Sequence, residues 1–429
     1  MKKNFYKFVL PSMLAFAFSG LYSIVDGLFI GRNVGDAGLS AINFSYPLVV
    51  LIQATGTGIG LGGAVGMSIS LGKKDIHTER KYLGSTLSLL AIACIFLTAF
   101  LLLFSKPILV IFGAEGTILK YSMEYLFWIV LGSSFQILAN GFSPIIRNLR
   151  RPNLAMIAMI LGFIINIVLD WLFVSVLKYG MAGAAWATII GQFATLLPLT
   201  PFLYKFVRQL HPDDFKPIKK LRSSIVRIGL SPFGLAVAPY VILIMMNKFS
   251  VIYGGVKAVA AYSVVSYVVS FIQLLLQGIG DGCQPLISMY TGEKDTDGAI
   301  QIRNLAYKFS FIVAASYAFL VFLLRRQIPV VFGASSDVAL ITTKILPIFC
   351  ITFLFYSFTR ITTSYFYATN KNRLSYLIIY GEPVFILILL NFILPPLLGI
   401  DGVWLSIPTA QLAAVILGAL FIVKMDKHR

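Results

Sequence analysis

Apolar stretches long enough to cross a bilayer recur along almost the whole chain of 429 residues. A membrane helix needs about 20 consecutive apolar residues, and twelve windows of this kind are present in the sequence. They lie at 8–30, 43–71, 83–105, 121–146, 154–177, 183–206, 223–247, 258–289, 304–324, 340–368, 374–397 and 401–423. Within a bilayer a helix satisfies its own backbone groups. The sequence therefore predicts an all-α membrane protein with twelve transmembrane helices.

The distribution of charge agrees with a membrane location and predicts an orientation. Only 12% of the residues are charged and 58% are hydrophobic, whereas soluble domains have about 25% charged residues. Of the 35 Lys and Arg residues, 25 lie in the N-terminus, the even-numbered loops and the C-terminus, and 9 lie in the odd-numbered loops. Basic residues mark cytoplasmic loops. We expect a multi-pass protein of the cell (inner or plasma) membrane with both termini cytoplasmic. Its basic loops would contact anionic lipids, and the net charge of +18 would not reflect nucleic-acid binding.

An internal repeat divides the chain into two halves. The tripeptide FGA at 112–114 recurs at 332–334, a shift of 220 residues. We therefore expect two pseudo-symmetric six-helix lobes, 1–210 and 211–429. Because each half contains an even number of helices, both copies enter the membrane from the same side. Repeats of this kind are related by an axis along the membrane normal, with a cleft between the lobes that can open to either face.

Two carboxylates lie within the apolar helices of the first half, Asp26 in the first and Asp170 in the fifth. An acid at the centre of a membrane helix costs about 2.5–3.5 kcal/mol and usually faces an interior. Asn166 is one turn before Asp170 on the same face, and Thr188 in the next helix can return to the same level. Such oxygen atoms suit a proton or a small hard cation such as Na⁺. We predict a cation site made of Asp26, Asn166, Asp170 and Thr188. The alternative is that these residues only hydrogen-bond neighbouring helices together.

The second half of the chain carries a different set of charges. The repeat places no acid at the positions equivalent to Asp26 and Asp170. Instead, Asp281, Arg360 and Glu382 lie within its apolar helices. They either neutralise one another as an ion pair or triad, or an acidic member contacts a cationic substrate.

Two further residues of the first half are candidates for the lining of a substrate cavity. Tyr22 lies one turn before Asp26, and Met159 lies seven residues before Asn166. Simple packing explains both positions equally well.

The cysteines and histidines give no indication of an enzyme. The cysteines are in separate helices and lack metal-type spacing, and the histidines lie in loops or in the tail without a partner for zinc or a nucleophile. These residues are Cys94, Cys283, Cys350, His77, His211 and His428. We expect no catalytic residues and no cofactor apart from a coupling ion.

Several segments of the chain resemble one known family in register. They are Ile24–Gly31 (IVDGLFIG), Pro47, the glycine-rich second helix to Gly72, Ile145–Arg147 (IIR), Asn166–Asp170 (NIVLD), Gly183–Thr188 (GAAWAT) and Gly278–Ser288 (GIGDGCQPLIS). These segments closely resemble the multidrug and toxic compound extrusion (MATE) family. The resemblance covers the whole chain, and the order of the segments makes it specific.

The resemblance implies a secondary antiporter that exports organic, often cationic compounds in exchange for Na⁺ or H⁺. In the branch of the family with its cation site in the N-terminal lobe, the ligands match Asp26, Asn166, Asp170 and Thr188. The other branch has an acid in the seventh helix and another in the tenth. This chain departs from that pattern, because 223–247 contains no acid and the tenth helix has Arg360 instead.

The function predicted from the sequence is therefore multidrug efflux by alternating access, carried out by a single chain. One alternative is a flippase for a lipid-linked saccharide from the same superfamily, which would need more cationic side chains in its cavity than Arg360. A second is a non-transporting scaffold or receptor, which would have no need of buried carboxylates. A channel would not require a two-lobed repeat with an ion site in one lobe.

Overall fold

The computed structural model describes residues 1–427, apart from the side chains of Ser23, Ile24 and Asp36. His428, which we predicted to lie in the tail, is outside the described residues. Every regular element in the described part is helical, which confirms the all-α prediction. The α-helices are α1 Lys2–Asn33, α2 Asp36–Gly72, α3 Ile76–Ile111, α4 Gly116–Leu131, α5 Ser133–Asn148, α6 Pro152–Asp170, α7 Gly180–Val207, α8 Lys219–Glu293, α9 Thr296–Leu324, α10 Ile328–Val331, α11 Ser336–Ala368, α12 Asn372–Ile379, α13 Leu387–Leu398 and α14 Ile400–Lys427. Two π-helical segments, Trp171–Val176 and Gly381–Ile386, and a 3₁₀ turn at Pro212–Phe215 complete them.

The number of membrane spans agrees with the sequence. Ten of the described helices are long and apolar enough to cross a membrane, and α4 with α5 forms an eleventh span bent by 57°. Helix α8 has 75 residues, roughly 110 Å of helix, far more than the bilayer core of about 30 Å. Its backbone leaves helical geometry at Gly255, with φ 66° and ψ −167°, a conformation that only glycine adopts readily. Gly255 lies between the predicted spans 223–247 and 258–289, so α8 supplies two spans and the total is twelve.

Left-handed backbone positions recur at the interval of the internal repeat. Lys74 and Lys294 have φ values of 59° and 60°, and Arg150 and Asn370 have values of 62° and 60°. The glycines with positive φ pair in the same way: Gly35 with Gly255, Gly113 with Gly333 and, at an interval one residue shorter, Gly180 with Gly399. Because non-glycine residues rarely adopt positive φ, this coincidence supports the repeat, which stays a prediction.

Residue contacts divide the chain into two compact units. The first unit comprises Tyr6–Val237 and Ser288–Asp295, and the second comprises Met1–Phe5, Ala238–Ile287 and Thr296–Arg429. In the first unit α2 packs against α3, α4 and α5, and α6 packs against α7. In the second unit α11 packs against α9 and α14, and α13 packs against α14. The predicted division into lobes after residue 210 stays a prediction.

The glycines of α2 allow the neighbouring backbone of α5 to approach closely. A Cβ atom on Gly60 would overlap the carbonyl oxygen of Gly141, and one on Gly56 would overlap that of Ile137. Small residues allow membrane helices to pack backbone against backbone. The core of the first unit therefore depends on the absence of side chains at these two positions of α2.

A buried arginine connects three helices of the second unit. Arg303 on α9 donates from Nη1 to Asp426 Oδ1 at 3.2 Å and from Nη2 to Oδ2 at 2.9 Å, which ties α9 to α14. Its guanidinium also lies over the ring of Tyr365 on α11, 4.9 Å from the centroid. The arginine side chain is only 4% exposed, and the aspartate is 37% exposed. A planar, bidentate contact of this kind is stronger than a single ion pair.

We expect Arg303→Ala to destabilise the protein by about 1–3 kcal/mol, because it removes two charge-assisted hydrogen bonds and a cation–π contact. The measurement is the thermal stability of the purified protein in detergent. Lys257 and Asp337 provide a matched comparison, since their ion pair at 2.6 Å is 65% and 63% exposed. Lys257→Ala should cost less than about 1 kcal/mol. Equal losses in the two variants would contradict this interpretation.

Candidate functional site

Helix α6 carries two polar side chains into the interior of the first unit. Asn166 and Asp170 are one turn apart and are 3% and 0% exposed, so they share one buried face, as their spacing predicts. The α-helix ends at Asp170 and continues as the π-helical segment Trp171–Val176. Such segments are rare in proteins, and those that do occur are frequently found at functional sites.

Two glycines bring α6 and α7 close enough for Asn166 to meet Thr188. A Cβ atom on Gly191 would lie 2.8 Å from the Cβ of Asn166, and one on Gly162 would lie 2.7 Å from the carbonyl oxygen of Gly191. As a result, Asn166 Nδ2 lies 3.5 Å from Thr188 Oγ1. The Thr188 hydroxyl donates its own hydrogen to the carbonyl oxygen of Ala184 at 3.1 Å. Its oxygen is therefore available as an acceptor.

Helix α1 supplies the second carboxylate. Asp26 is buried, and its carboxyl group interacts directly with that of Asp170. Ionised carboxylates only accept hydrogen bonds, so the two groups can hydrogen-bond to each other only when one of them carries a proton. With both ionised and nothing between them, they would repel. The pair is therefore suited to a shared proton or to a cation held between them.

We call Asp26, Asn166, Asp170 and Thr188 the carboxylate cluster. Four of its oxygen atoms are buried and have no hydrogen-bond donor among the described residues: Asp26 Oδ1, Asn166 Oδ1 and both carboxylate oxygens of Asp170. Buried polar atoms are normally paired, and each unpaired atom costs about 1–3 kcal/mol. No group of three or more His, Cys, Asp or Glu side chains in the described part of the chain is placed to hold a metal ion. The possible ligand atoms are carboxylate, amide and hydroxyl oxygens, which suit H⁺ or Na⁺.

Two tyrosines reach the carboxylate cluster. Tyr22, a predicted cavity residue, and Tyr125 on α4 both interact with the hydroxyl of Thr188. The ring of Tyr22 stacks on Phe163, with the centroids 5.2 Å apart. Tyr125 was not predicted as a site residue. The chain has 20 tyrosines, and only the tertiary structure shows which of them lie beside the carboxylate cluster.

Met159, the other predicted cavity residue, contacts α5. Its sulfur accepts a hydrogen bond from the Ser143 hydroxyl at 3.3 Å. Contact of Met159 or Tyr22 with a substrate stays a prediction.

The charged residues of the second half lie in a polar cluster of the second unit. Gln277 connects two of them, because its Nε2 donates to Asp281 Oδ1 at 2.8 Å and its Oε1 accepts from Arg360 Nη1 at 3.4 Å. Arg360 also donates to Gln273 Oε1 at 3.2 Å, and the Tyr367 hydroxyl donates to Asp281 Oδ1 at 2.9 Å. Within the described residues, Arg360 is thus held by amide oxygens, and its charge is linked to that of Asp281 through an amide.

Glu382, the third charged residue, lies in the π-helical segment Gly381–Ile386. Its carboxyl group interacts with the side chain of Gln411 and with the positive charge of Arg360. The glutamines and tyrosines around these charges were not predicted, since amides and phenols are common contacts between membrane helices.

These observations define a multi-pass, all-α membrane protein with polar clusters buried among its spans. The family model of MatE matches residues 11–172 and 232–396. The chain belongs to this family of transporters, which confirms the resemblance seen in the sequence.

Known relatives match the chain over nearly its full length. The multidrug export protein MepA of Staphylococcus haemolyticus is 28% identical, over 98% of this chain and 93% of that protein. MepA of Staphylococcus aureus is 26% identical, over 98% and 93%. Among solved structures, MATE in the straight conformation has a TM-score of 0.92 at 22% identity and covers 99% of this chain and 97% of that one. An outward-facing multidrug resistance MATE family transporter of the MOP superfamily has a TM-score of 0.91 at 22% identity, with coverages of 98% and 94%. These similarities confirm the fold of twelve membrane helices in two lobes.

Proposed function

We propose that this protein is a secondary active antiporter that exports organic, cationic and amphipathic compounds in exchange for Na⁺ or H⁺. Membership of a transporter family and the similarity to proteins named multidrug export protein MepA support export. The observation that carries ion coupling is the set of four buried oxygen atoms without donors in the carboxylate cluster. Those atoms lack a positively charged partner, and a coupling ion supplies one.

The carboxylate cluster couples the ion to helix positions through simple electrostatics. Asp26 is on α1 and Asp170 is on α6, so the two helices attract or repel each other according to what lies between the carboxylates. A bound cation or proton joins them, and Asn166 and Thr188 complete its coordination. Loss of the ion leaves two like charges that favour separation. The ion therefore shifts the population toward one state, and export follows when substrate and ion prefer different states.

The remaining features of the proposal concern substrate and topology. Tyr22 and Met159 contact the substrate in the first unit, where an aromatic ring attracts an organic cation. Asp281, Arg360 and Glu382 are candidate substrate contacts in the second unit. The protein works as a monomer in the cell membrane with both termini cytoplasmic, as the placement of Lys and Arg indicates. It has no resident cofactor.

The test is ethidium efflux from proteoliposomes, with a Na⁺ gradient and a pH gradient imposed in separate experiments on wild type and Asp26→Asn. We expect one gradient to drive efflux in wild type and the variant to lose that response, since it removes one of the two carboxylates. The ineffective gradient serves as the internal control and excludes leakage. If neither gradient drives efflux, the antiporter proposal fails, and lipid-linked saccharides would be tested next as substrates of a flippase.

A further inference from the structure

Glu382 is a half-buried acid outside the carboxylate cluster, and one of its two carboxylate oxygens is fully buried. It lies in the second unit, within the π-helical segment Gly381–Ile386. The other π-helical segment of the described residues, Trp171–Val176, directly follows Asp170. Both π-helical segments of the described residues therefore occur in a membrane span, and each begins beside or contains a carboxyl group. Because π-helical turns are uncommon and often functional, the local backbone of Glu382 resembles that of Asp170, for which we propose ion binding.

The charges around Glu382 do not cancel. Arg360 and Asp281 carry one positive and one negative charge, and Gln277 links them by accepting from the first and donating to the second. Asp281 also accepts from the hydroxyl of Tyr367, so this pair is both neutral and hydrogen-bonded. Glu382 is the third charge. With Arg360 and Asp281 both charged, the group has a net charge of zero only when Glu382 is protonated.

One oxygen of Glu382 lacks a donor. Glu382 Oε1 is buried and has no hydrogen-bond partner among the described residues. A buried oxygen without a hydrogen-bond partner destabilises the folded protein most when the carboxyl group is ionised. Gln411 approaches the carboxyl group from α14, and its own Oε1 lies 3.5 Å from the Thr359 hydroxyl. The environment thus offers Glu382 one neutral amide and leaves one oxygen unsatisfied.

The groups that face Glu382 favour a proton over a larger cation. The charged and titratable side chains acting on it are Arg360 and Tyr356, both from α11. A metal ion needs several oxygen ligands, but the site supplies one carboxyl group, and the nearby guanidinium would repel a metal ion. A proton needs only one oxygen. Arg360 also stabilises the ionised carboxylate, so that a bound proton can leave.

We infer that Glu382 is a second proton-binding site, separate from the carboxylate cluster, that binds and releases one proton within the second unit. The chemistry is a simple acid–base equilibrium in which the carboxyl O–H bond forms and breaks and the proton passes to water. Its consequence for transport, one additional proton exchanged in each cycle, rests on the proposed function. The binding site itself does not.

Infrared difference spectra of the purified protein between mildly acidic and mildly alkaline buffer test this inference. The double variant Asp26→Asn/Asp170→Asn removes the carboxyl groups of the cluster, and we expect it to retain one pH-dependent C=O band of a protonated carboxyl. Adding Glu382→Gln should remove that band. Adding Glu115→Gln should not change it, because Glu115 is an exposed residue of the first unit and is not part of the polar cluster around Glu382.

A band that persists after Glu382→Gln, or its absence from the double variant, would overturn the assignment. If the glutamine variant does not purify as a folded protein, Glu382→Asp keeps the acid, and its band should be shifted and retained. An unshifted band would then also count against Glu382. These spectra require no transport. A protein that never moves ethidium can still show the site, and a proven antiporter can still lack it.

Discussion

Asp170→Asn is expected to abolish ion-coupled efflux while leaving the protein folded in the membrane. Asn has nearly the same shape as Asp but cannot carry an exchangeable proton or a negative charge. The variant therefore replaces one oxygen of the Asp170 carboxylate with an NH₂ group and removes the negative charge from the residue that supplies two of the four oxygen atoms without a donor. Gradient-driven ethidium efflux should fall by about tenfold or more, which corresponds to at least about 1.4 kcal/mol of activation free energy. Removing a buried charge also makes insertion into the bilayer less costly.

Asp401→Asn is the matched control for this experiment. Asp401 is exposed and lies in the first turn of α14, so Asp401→Asn makes the same chemical change away from the carboxylate cluster. The efflux rate of this variant should equal that of wild type. Both variants should reach the membrane in the same amount and melt at similar temperatures. Efflux at the wild-type rate in Asp170→Asn would remove Asp170 from the site and with it the proposed cluster.

The sequence was sufficient for the membrane spans but not for their irregularities. Twelve apolar windows correspond to the helices because hydrophobic length alone determines which segments cross a bilayer. The 57° bend between α4 and α5 and the two π-helical segments were not predicted. Such changes depend on a few backbone hydrogen bonds and on packing against neighbours, neither of which alters the hydrophobic pattern.

Part of the candidate site could likewise be predicted from local sequence patterns, and part depends on tertiary packing. The shared face of Asn166 and Asp170 follows from helical periodicity within α6. Their approach to Asp26 and Tyr125 depends on how α1, α4 and α6 pack, which no local pattern encodes. The bridge formed by Gln277 is a similar case, because an amide in a membrane helix has many possible partners.

Gly60→Ala should destabilise the protein and Gly27→Ala should not, although each adds one methyl group to a membrane helix. At Gly60 the new Cβ would overlap the backbone carbonyl of Gly141. A carbonyl group cannot rotate away as a side chain can, so α2 and α5 would have to separate. We expect a loss of about 3 kcal/mol, at the upper end of the cost of overpacking. The measurement is the fraction of protein that remains monodisperse on size-exclusion chromatography after heating in detergent.

Gly27 provides the reverse case, because no atom lies within 4 Å of a Cβ built there. Alanine is a better helix former than glycine by about 1 kcal/mol, so Gly27→Ala should be neutral or stabilising. The comparison separates the two reasons for which a membrane helix contains glycine. If the two variants melt at the same temperature, α2 and α5 tolerate a wider spacing, and the close packing of these helices is not what holds the first unit together. If only Gly60→Ala is destabilised, the missing side chains of α2 are required for the helix contacts on which the core of the first unit depends.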